Sequence, residues 1–359
     1  MSGEIGFETR GSLGLVTFAR PKALNALSLT MIREMHPQLD RWEADPAITA
    51  IAVRGAGGKA FCAGGDVRAV WEAGRDGSFV PGKPGHLASD FFREEYRLNR
   101  RIKTLSKPYV ALIDGIVMGG GVGLSVHGMA RVASERTLFA MPETHIGLFP
   151  DVGGSYFLPR LPNGFGLYLG LTGERLKAED CLTAEFATHY LPSVQHEALL
   201  QALSELAPGA DAKAVTALLD GMAEAPEANG HLAADRAAIE RCFAGKQSLE
   251  AIAAALAEEE SDWAKLAAKL IASGSPTSLK VTFEQLRRGG QLDFDACMIM
   301  EYCMSQAFMD PRSDFYEGIR AVLVDKDRSP KWAPANLEAV TAEWIERHFV
   351  PLGDLDLTF

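Results

Sequence analysis

Apolar positions recur along the first half of the chain in two rhythms. Short alternating runs, Ile5 to Thr9 and Leu13 to Phe18, flank Arg-Gly-Ser and predict an opening β-hairpin. Apolar residues three and four apart follow at Ile32, Met35, Leu39 and Trp42, behind Ser28 and Thr30, either of which can cap a helix. Ile48 to Val53 reads as a buried strand ending in Gly55-Ala56-Gly57-Gly58. The alternation then repeats: a strand at Tyr109 to Ile113, a loop at Met118-Gly119-Gly120-Gly121 and a short helix from about Val122. Another helix is predicted over Asp90 to Leu105, stopping before Pro108 because the residue ahead of a proline avoids the α region. Gly74 to Gly85, rich in Gly and Pro, is expected to be a mobile surface loop. Strands alternating with helices imply an α/β core.

The rhythm changes after about Leu191, where Ala, Leu and Glu dominate through Ile271 and strand-like runs disappear. The chain therefore divides into an α/β core over residues 1–190 and a mainly helical region over 191–359. Gly289-Gly290 punctuates that region, and Asp325 to Pro334 reads as loop. With 47% hydrophobic and 23% charged residues among 359, the chain has ample material for a core, which excludes disorder. The net charge of −11, without a basic run, argues against nucleic acid or an anionic membrane as partner. The most apolar stretch, Tyr109 to Ala130, is interrupted by Asp114, and its uncharged remainder from Gly115 is shorter than the roughly 18 residues of a spanning segment.

Five cysteines, Cys62, Cys181, Cys242, Cys297 and Cys303, form no CxxC pair and no Cys/His cluster at metal spacing. They read as reduced packing thiols, and no metal is expected. The N-terminus, Met-Ser-Gly-Glu-Ile, has the pattern of neither a secretory signal nor a transit peptide. A cytosolic protein is the expectation.

Three segments carry candidate chemistry. In Lys59-Ala-Phe-Cys-Ala-Gly-Gly-Asp66, the small residues Ala63, Gly64 and Gly65 let a ligand approach the backbone; the same segment also reads as a strand-to-helix turn capped by Asp66. Met118-Gly-Gly-Gly-Val-Gly-Leu124 is not GxGxxG and has no acid at the ribose distance, so a nicotinamide site has little support. Close helix packing is its other reading. Two such turns can aim two N–H groups at one oxygen, the arrangement of an oxyanion hole. In Met141 to Gly154, Glu143 and Asp151 flank an apolar stretch, where carboxylates can serve as base or nucleophile; each is otherwise a solvated or capping acid. His145 reads as a satisfied or surface histidine.

The segments Arg20-Pro-Lys-Ala-Leu-Asn-Ala-Leu27, Phe61-Cys-Ala-Gly-Gly-Asp66, Gly115-Ile-Val-Met-Gly-Gly-Gly121 and Pro142-Glu-Thr-His-Ile-Gly-Leu-Phe-Pro-Asp-Val-Gly-Gly-Ser155 resemble the crotonase (enoyl-CoA hydratase/isomerase) superfamily. Ser275-Pro-Thr-Ser-Leu-Lys280, Met300-Glu-Tyr-Cys-Met-Ser-Gln306, Asp314-Phe-Tyr-Glu-Gly-Ile-Arg320 and Asp325-Lys-Asp-Arg-Ser-Pro-Lys-Trp332 are similar to one branch of it. That branch holds hydrolases of a 3-hydroxyacyl-CoA from valine breakdown, and the resemblance spans essentially the whole chain.

The resemblance implies a crotonase-like spiral of ββα units forming two sheets, followed by a helical C-terminal region. It implies an acyl-CoA thioester substrate and no separate cofactor, since CoA belongs to the substrate. Carried over, the N–H groups of Gly65 and Gly120 form the oxyanion hole, Glu143 and Asp151 are the catalytic carboxylates, and Glu95 lines the acyl pocket. Ala63, Gly64 and Asp66 lie along CoA, and Lys22 approaches a CoA phosphate. Glu95 has a second reading as a solvated acid, because Arg93 and Glu94 flank it. Relatives are often trimers or hexamers, so a homo-oligomer is compatible with the chain.

Enoyl-CoA hydratases carry a second catalytic Glu just after the triple glycine, where this chain has Gly123, and usually a small residue where it has Asp151. Hydrolysis therefore fits better than hydration. A hydratase or isomerase acting on another acyl-CoA is the alternative, while the presence of Gly65, Gly120, Glu143 and Asp151 disfavours a non-catalytic CoA-binding subunit. Glu143 is expected to act as nucleophile, since a carboxylate is already anionic at neutral pH, or as general base. Asp151 would position water or protonate the leaving group.

Overall fold

Leu13 and Leu15, Ala50 and Ala52, Val110 and Leu112, and Ala130 and Val132 are buried pairs spaced two apart, so in extended chain each pair points to one face. The computed structural model describes residues 2–227 and 230–359. In it these pairs lie on strands β2 (Leu13–Phe18), β3 (Ala50–Gly55), β5 (Tyr109–Ile113) and β7 (Ala130–Ala133). With β1 (Ile5–Arg10) and β9 (His189–Tyr190) they form a six-stranded sheet in the order β1-β2-β3-β5-β7-β9. The expected hairpin is present, with Ile5 opposite Phe18 and Arg10 opposite Leu13, and the remaining pairings are parallel. Strand β3 starts two residues later than its apolar run, because Ile48 N bonds Asp45 O in the turn ahead of it.

The intervening strands β4 (Ala60–Cys62), β6 (Ile116–Met118) and β8 (Leu138–Ala140) form a separate three-stranded sheet. After the opening hairpin, each further pair of strands thus sends its first strand to the large sheet and its second to the small one. Helix α1 (Leu29–Ala44) is capped by Ser28, whose side chain accepts from Met31 N, and it buries the stripe Ile32, Met35, Leu39 and Trp42. Helices α2 (Val67–Gly74) and α3 (Leu87–Lys103) follow β4, and α4 (Gly120–Val126) follows β6. The last of these begins two residues before the expected Val122, since Gly119 is its cap and Gly119 O accepts from Val122 N at 2.7 Å.

After Tyr190 every regular element of the described residues is helical. Leu199, Leu200 and Leu203 of helix His196–Ser204, with Val215 and Leu219 of helix Ala212–Met222, cover the apolar face of the large sheet. Contacts divide the described chain into two compact units, each drawn from three stretches. The first comprises residues through 65, 97–139 and 175–233, and carries the sheets; the second comprises 66–96, 140–174 and 234–359, and is helical. Both units cut across the compositional break near residue 190.

The Gly/Pro-rich stretch 74–85 is the expected loop beyond the end of α2, mostly exposed but tied down at one point. Gly82 is buried, its N–H donates to Gln306 Oε1 at 2.9 Å, and its carbonyl accepts from Arg93 Nη2 at 2.7 Å. Composition marked the turn but not these tethers. Among the described residues, no helix is long and apolar enough to cross a membrane.

Candidate active site

Two glycine turns are built side by side in the first unit. Strands β4 and β6 run parallel, with Ala60 opposite Ile116 and Cys62 opposite Val117, so the turns that follow them emerge at one edge of the small sheet. Gly64 has φ +125° and Gly119 φ +46°, conformations that a side chain would strain. The first turn is fixed by Leu27 N donating to Gly64 O at 2.9 Å and Ala63 N donating to Leu24 O at 3.1 Å. A Cβ on Gly121 would lie 2.1 Å from Cys62 O, so α4 starts pressed against the end of β4. Gly120 is the first residue of α4, a position whose N–H has no carbonyl one turn behind it within the helix. Gly65 and Gly120 thus stand just beyond the ends of neighbouring strands.

Asp66 caps α2 by accepting from Ala69 N at 3.4 Å, and Lys22 is exposed on the turn Pro21–Ala23. Ala63 is half-buried beside Gly64.

The carboxyl groups converge in the second unit. Helix α3 buries Phe91, Phe92, Glu95 and Tyr96, residues that share one side of the helix by their spacing. Glu143 opens the short 3₁₀ turn Glu143–Ile146, and Asp151 follows Pro150 ahead of the short helix Gly154–Phe157. A fourth acid, Glu301, comes from helix Phe294–Phe308. Their exposures are 2% for Glu95, 4% for Glu143, 5% for Asp151 and 0% for Glu301, and among the described residues none is paired with a Lys or Arg. Acids buried this deeply are rare unless they have a use.

Their partners differ. Tyr96 Oη donates to Asp151 Oδ2 at 2.8 Å. Glu301 accepts from Gly153 N and Ser155 N, both at 2.8 Å. Glu95 Oε1 and Glu143 Oε2 have no hydrogen-bond partner within the protein. Burial, then the charge of Asp151, pushes the carboxyls of Glu95 and Glu143 well above the usual range. Asp151 is pushed up to about 7 by burial, against the Tyr96 hydroxyl, and Glu301 to about 8 by burial, against the Gly153 N–H.

Burial disfavours the charged form of Glu143, so a nucleophilic role works against that burial. Glu95 is not a solvated acid. Arg93 and Glu94 flank it in sequence, but the neighbours that matter on a helix are three and four residues away. His145 is a satisfied histidine, with Nε2 on Leu270 O at 3.1 Å.

Sequence reasoning missed Tyr96, Gln285 and Glu301. Gln285 Nε2 donates to Pro150 O at 2.7 Å and to Ser155 Oγ at 2.9 Å. The signal for Glu301 was available: Phe294, Cys297, Met298, Ser305 and Phe308 are all buried on its helix, and Glu301 falls in their three-and-four spacing. All five cysteines are free and buried, and among the described residues no group of His, Cys, Asp or Glu is arranged to hold a metal.

A family profile described as Enoyl-CoA hydratase/isomerase matches residues 13–349, and the chain belongs to that family. Its fold is that of a crystal structure of an enoyl-CoA hydratase from Rhodobacter sphaeroides, at TM-score 0.87 and 37% identity, covering 99% of this chain and 100% of that one. A carnitinyl-CoA dehydratase from Mycobacterium thermoresistibile matches at TM-score 0.88 and 39% identity, over 99% and 98%. Higher identity is found with proteins named mitochondrial 3-hydroxyisobutyryl-CoA hydrolase. That of Danio rerio is 49% identical and that of Homo sapiens 47%, each over 99% of this chain and 91% of the relative. The mitochondrial names overturn the cytosolic placement drawn from the first residues. An address is read by transport machinery, and nothing in the folded site depends on it.

Proposed function

We propose that this protein hydrolyses the thioester of 3-hydroxyisobutyryl-CoA to 3-hydroxyisobutyrate and CoA. The observation that carries the reading is the near full-length identity of 47–50% to proteins named for that reaction. Buried Glu143 and Asp151 supply two carboxyls for it, and Gly123 withholds the second acid that hydration would use.

In the proposed reaction the thioester carbonyl oxygen takes hydrogen bonds from the N–H groups of Gly65 and Gly120. Ionised Glu143 attacks the carbonyl carbon, the C–S bond breaks, and the CoA thiolate leaves a mixed anhydride between Glu143 and the acyl group. Water then cleaves the anhydride, releasing the hydroxy acid and restoring the Glu143 carboxyl. Asp151, with its pKa near neutrality, protonates the thiolate or orients the water. Direct attack by water, with Glu143 as general base, reaches the same products. Glu95 is assigned to the substrate hydroxyl, Ala63, Gly64 and Asp66 to CoA, and Lys22 to a CoA phosphate. CoA arrives with the substrate, no other cofactor is called for, and a homo-oligomer is compatible with the reading.

A second reading, hydration or isomerisation of another acyl-CoA, is favoured by the solved structures titled hydratase and dehydratase at lower identity. One assay separates the two: purified protein with 3-hydroxyisobutyryl-CoA, crotonyl-CoA and a plain acyl-CoA, following free thiol and loss of the double bond separately. Thiol release from the first compound is expected. Loss of the crotonyl double bond without thiol release would establish the second reading instead.

A further inference from the structure

Of the four acids in this cluster, Glu301 alone has both carboxylate oxygens occupied by backbone donors. Its Oε2 accepts from Gly153 N and its Oε1 from Ser155 N, whereas Glu95 and Glu143 each keep one oxygen without a protein partner. A carboxyl with nothing left to offer a substrate is poorly placed for acid–base work. It is well placed to hold backbone.

The backbone it holds is unusual. Val152 has φ +53°, an outlier for a β-branched residue, and Gly153 has φ +89°. The Val152 conformation is costly and persists only where the surroundings over-determine it. Here the surroundings do so from two helices. Glu301 takes the N–H groups after Val152, while Gln285 takes Pro150 O ahead of Asp151 and Ser155 Oγ behind it. Within the segment, Gly154 N closes on Asp151 O at 2.8 Å. Helix Pro276–Gly289 packs so tightly that a Cβ on Gly289 would lie 2.0 Å from Ser155 O.

We propose that Glu301, seconded by Gln285, is a positioning residue that clamps Pro150–Ser155 in the strained conformation presenting the Asp151 carboxyl to the substrate. A leucine at position 301 would fill the same interior without the cost of burying a carboxyl. The inference rests on the proposed role of Asp151. Displacing a reacting group by about 1 Å can cost on the order of 10²-fold in rate while leaving remote binding intact, so the loss should fall on kcat.

The test compares wild type, Asp151→Asn, Glu301→Leu, Glu301→Gln and Ser155→Ala for thiol release, with the fold checked by circular dichroism. If wild type cleaves a different acyl-CoA, all variants are compared on that compound, so a wrong substrate leaves this test decisive. We expect Glu301→Leu to lower kcat by ~30-fold or more with KM within about threefold of wild type. Glu301→Gln, keeping one acceptor, should recover part of the loss, and Ser155→Ala should lose least. Should Glu301→Leu fail to fold, a kcat loss of at least about threefold at constant KM in Glu301→Gln is the deciding result. Unchanged kcat in a folded Glu301 variant, a KM that rises in step with the fall in kcat, or full activity in Asp151→Asn would each overturn the proposal.

Discussion

The glycine turns of the first unit and the acid cluster of the second achieve precision by opposite means. At Gly65 and Gly120 the groups on offer are main-chain N–H, placed by strand pairing and by the absence of side chains; the turns are tied by backbone bonds such as Leu27 N to Gly64 O. At Glu143 and Asp151 the groups are side chains whose charge is costly to bury, and Asp151 with its segment depends on neighbours that are themselves buried, Tyr96, Gln285 and Glu301. The contrast teaches where each half is fragile. A backbone site fails by steric intrusion, whereas a buried carboxyl fails by loss of one polar atom.

The largest effect should come from Glu143→Gln, which keeps volume and replaces the ionisable carboxyl with a neutral amide that neither attacks nor takes up a proton. Thiol release should fall by ~10³-fold or more, while calorimetry shows CoA binding little changed. Residual hydrolysis within tenfold of wild type would remove Glu143 from both versions of the chemistry. For the backbone site the matching change is Gly121→Ala, whose Cβ would meet Cys62 O at 2.1 Å and must push the first turn of α4 aside. A loss of ~10²–10³ in kcat is expected, as when one oxyanion donor is withdrawn. A fully active, folded Gly121→Ala would show that this turn need not be so exact.

The two sites also differed in how far the sequence disclosed them. Strand–turn–helix rhythm and small residues located both glycine turns, because backbone sites are written in local pattern. The large sheet was legible for the same reason: period two at Leu13 and Leu15, Ala50 and Ala52, Val110 and Leu112. Glu143 and Asp151 stood out as candidates by their proline and apolar context and took their roles from the family resemblance, but their company was not legible, since Tyr96, Gln285 and Glu301 reach Asp151 and its segment from distant stretches of sequence. Glu95 shows the error in miniature. Its flanking charges suggested a wet face, whereas Phe91, Phe92 and Tyr96 turn the same way it does into the interior. The tether of the expected loop at Gly82, held by Gln306, is again a long-range contact that composition does not encode.

A middle-sized effect concerns the substrate hydroxyl. A buried acid with a free oxygen, such as Glu95, favours a substrate that fills that bond and penalises one that leaves it empty. Isobutyryl-CoA, lacking the hydroxyl, should be cleaved with a kcat/KM lower by ~10²-fold or more, and Glu95→Gln should narrow that gap. Equal efficiency on the two thioesters would detach Glu95 from recognition and leave its burial to another cause.

The smallest expected effect tests the acid cluster's electrostatics through one hydrogen bond. Asp151 titrates near 7 because burial raises its pKa, and the Tyr96 hydroxyl opposes that rise by bonding the ionised form. Tyr96→Phe removes the opposing bond and leaves the burial, so the Asp151 pKa must climb further. A charge-assisted hydrogen bond contributes about 1.5–3 kcal/mol, and each pKa unit corresponds to about 1.4 kcal/mol, so the limb of the pH–kcat profile belonging to Asp151 should move up by about one to two units. The same sign governs stability. A carboxyl raised on folding is tolerated fully below its unfolded pKa and weakens the fold as pH rises through its folded value, so the melting temperature should decline from about pH 5 towards 8. In Tyr96→Phe the unfolded pKa of Asp151 is unchanged while the folded one rises, so the part of that decline due to Asp151 should start at the same pH and extend further up. If kcat rises through the shifted limb, Asp151 acts ionised on water; if it falls, Asp151 serves as the proton donor to the thiolate. A limb that stays in place when Tyr96 loses its hydroxyl would mean that some other buried acid, Glu143 foremost, sets the profile.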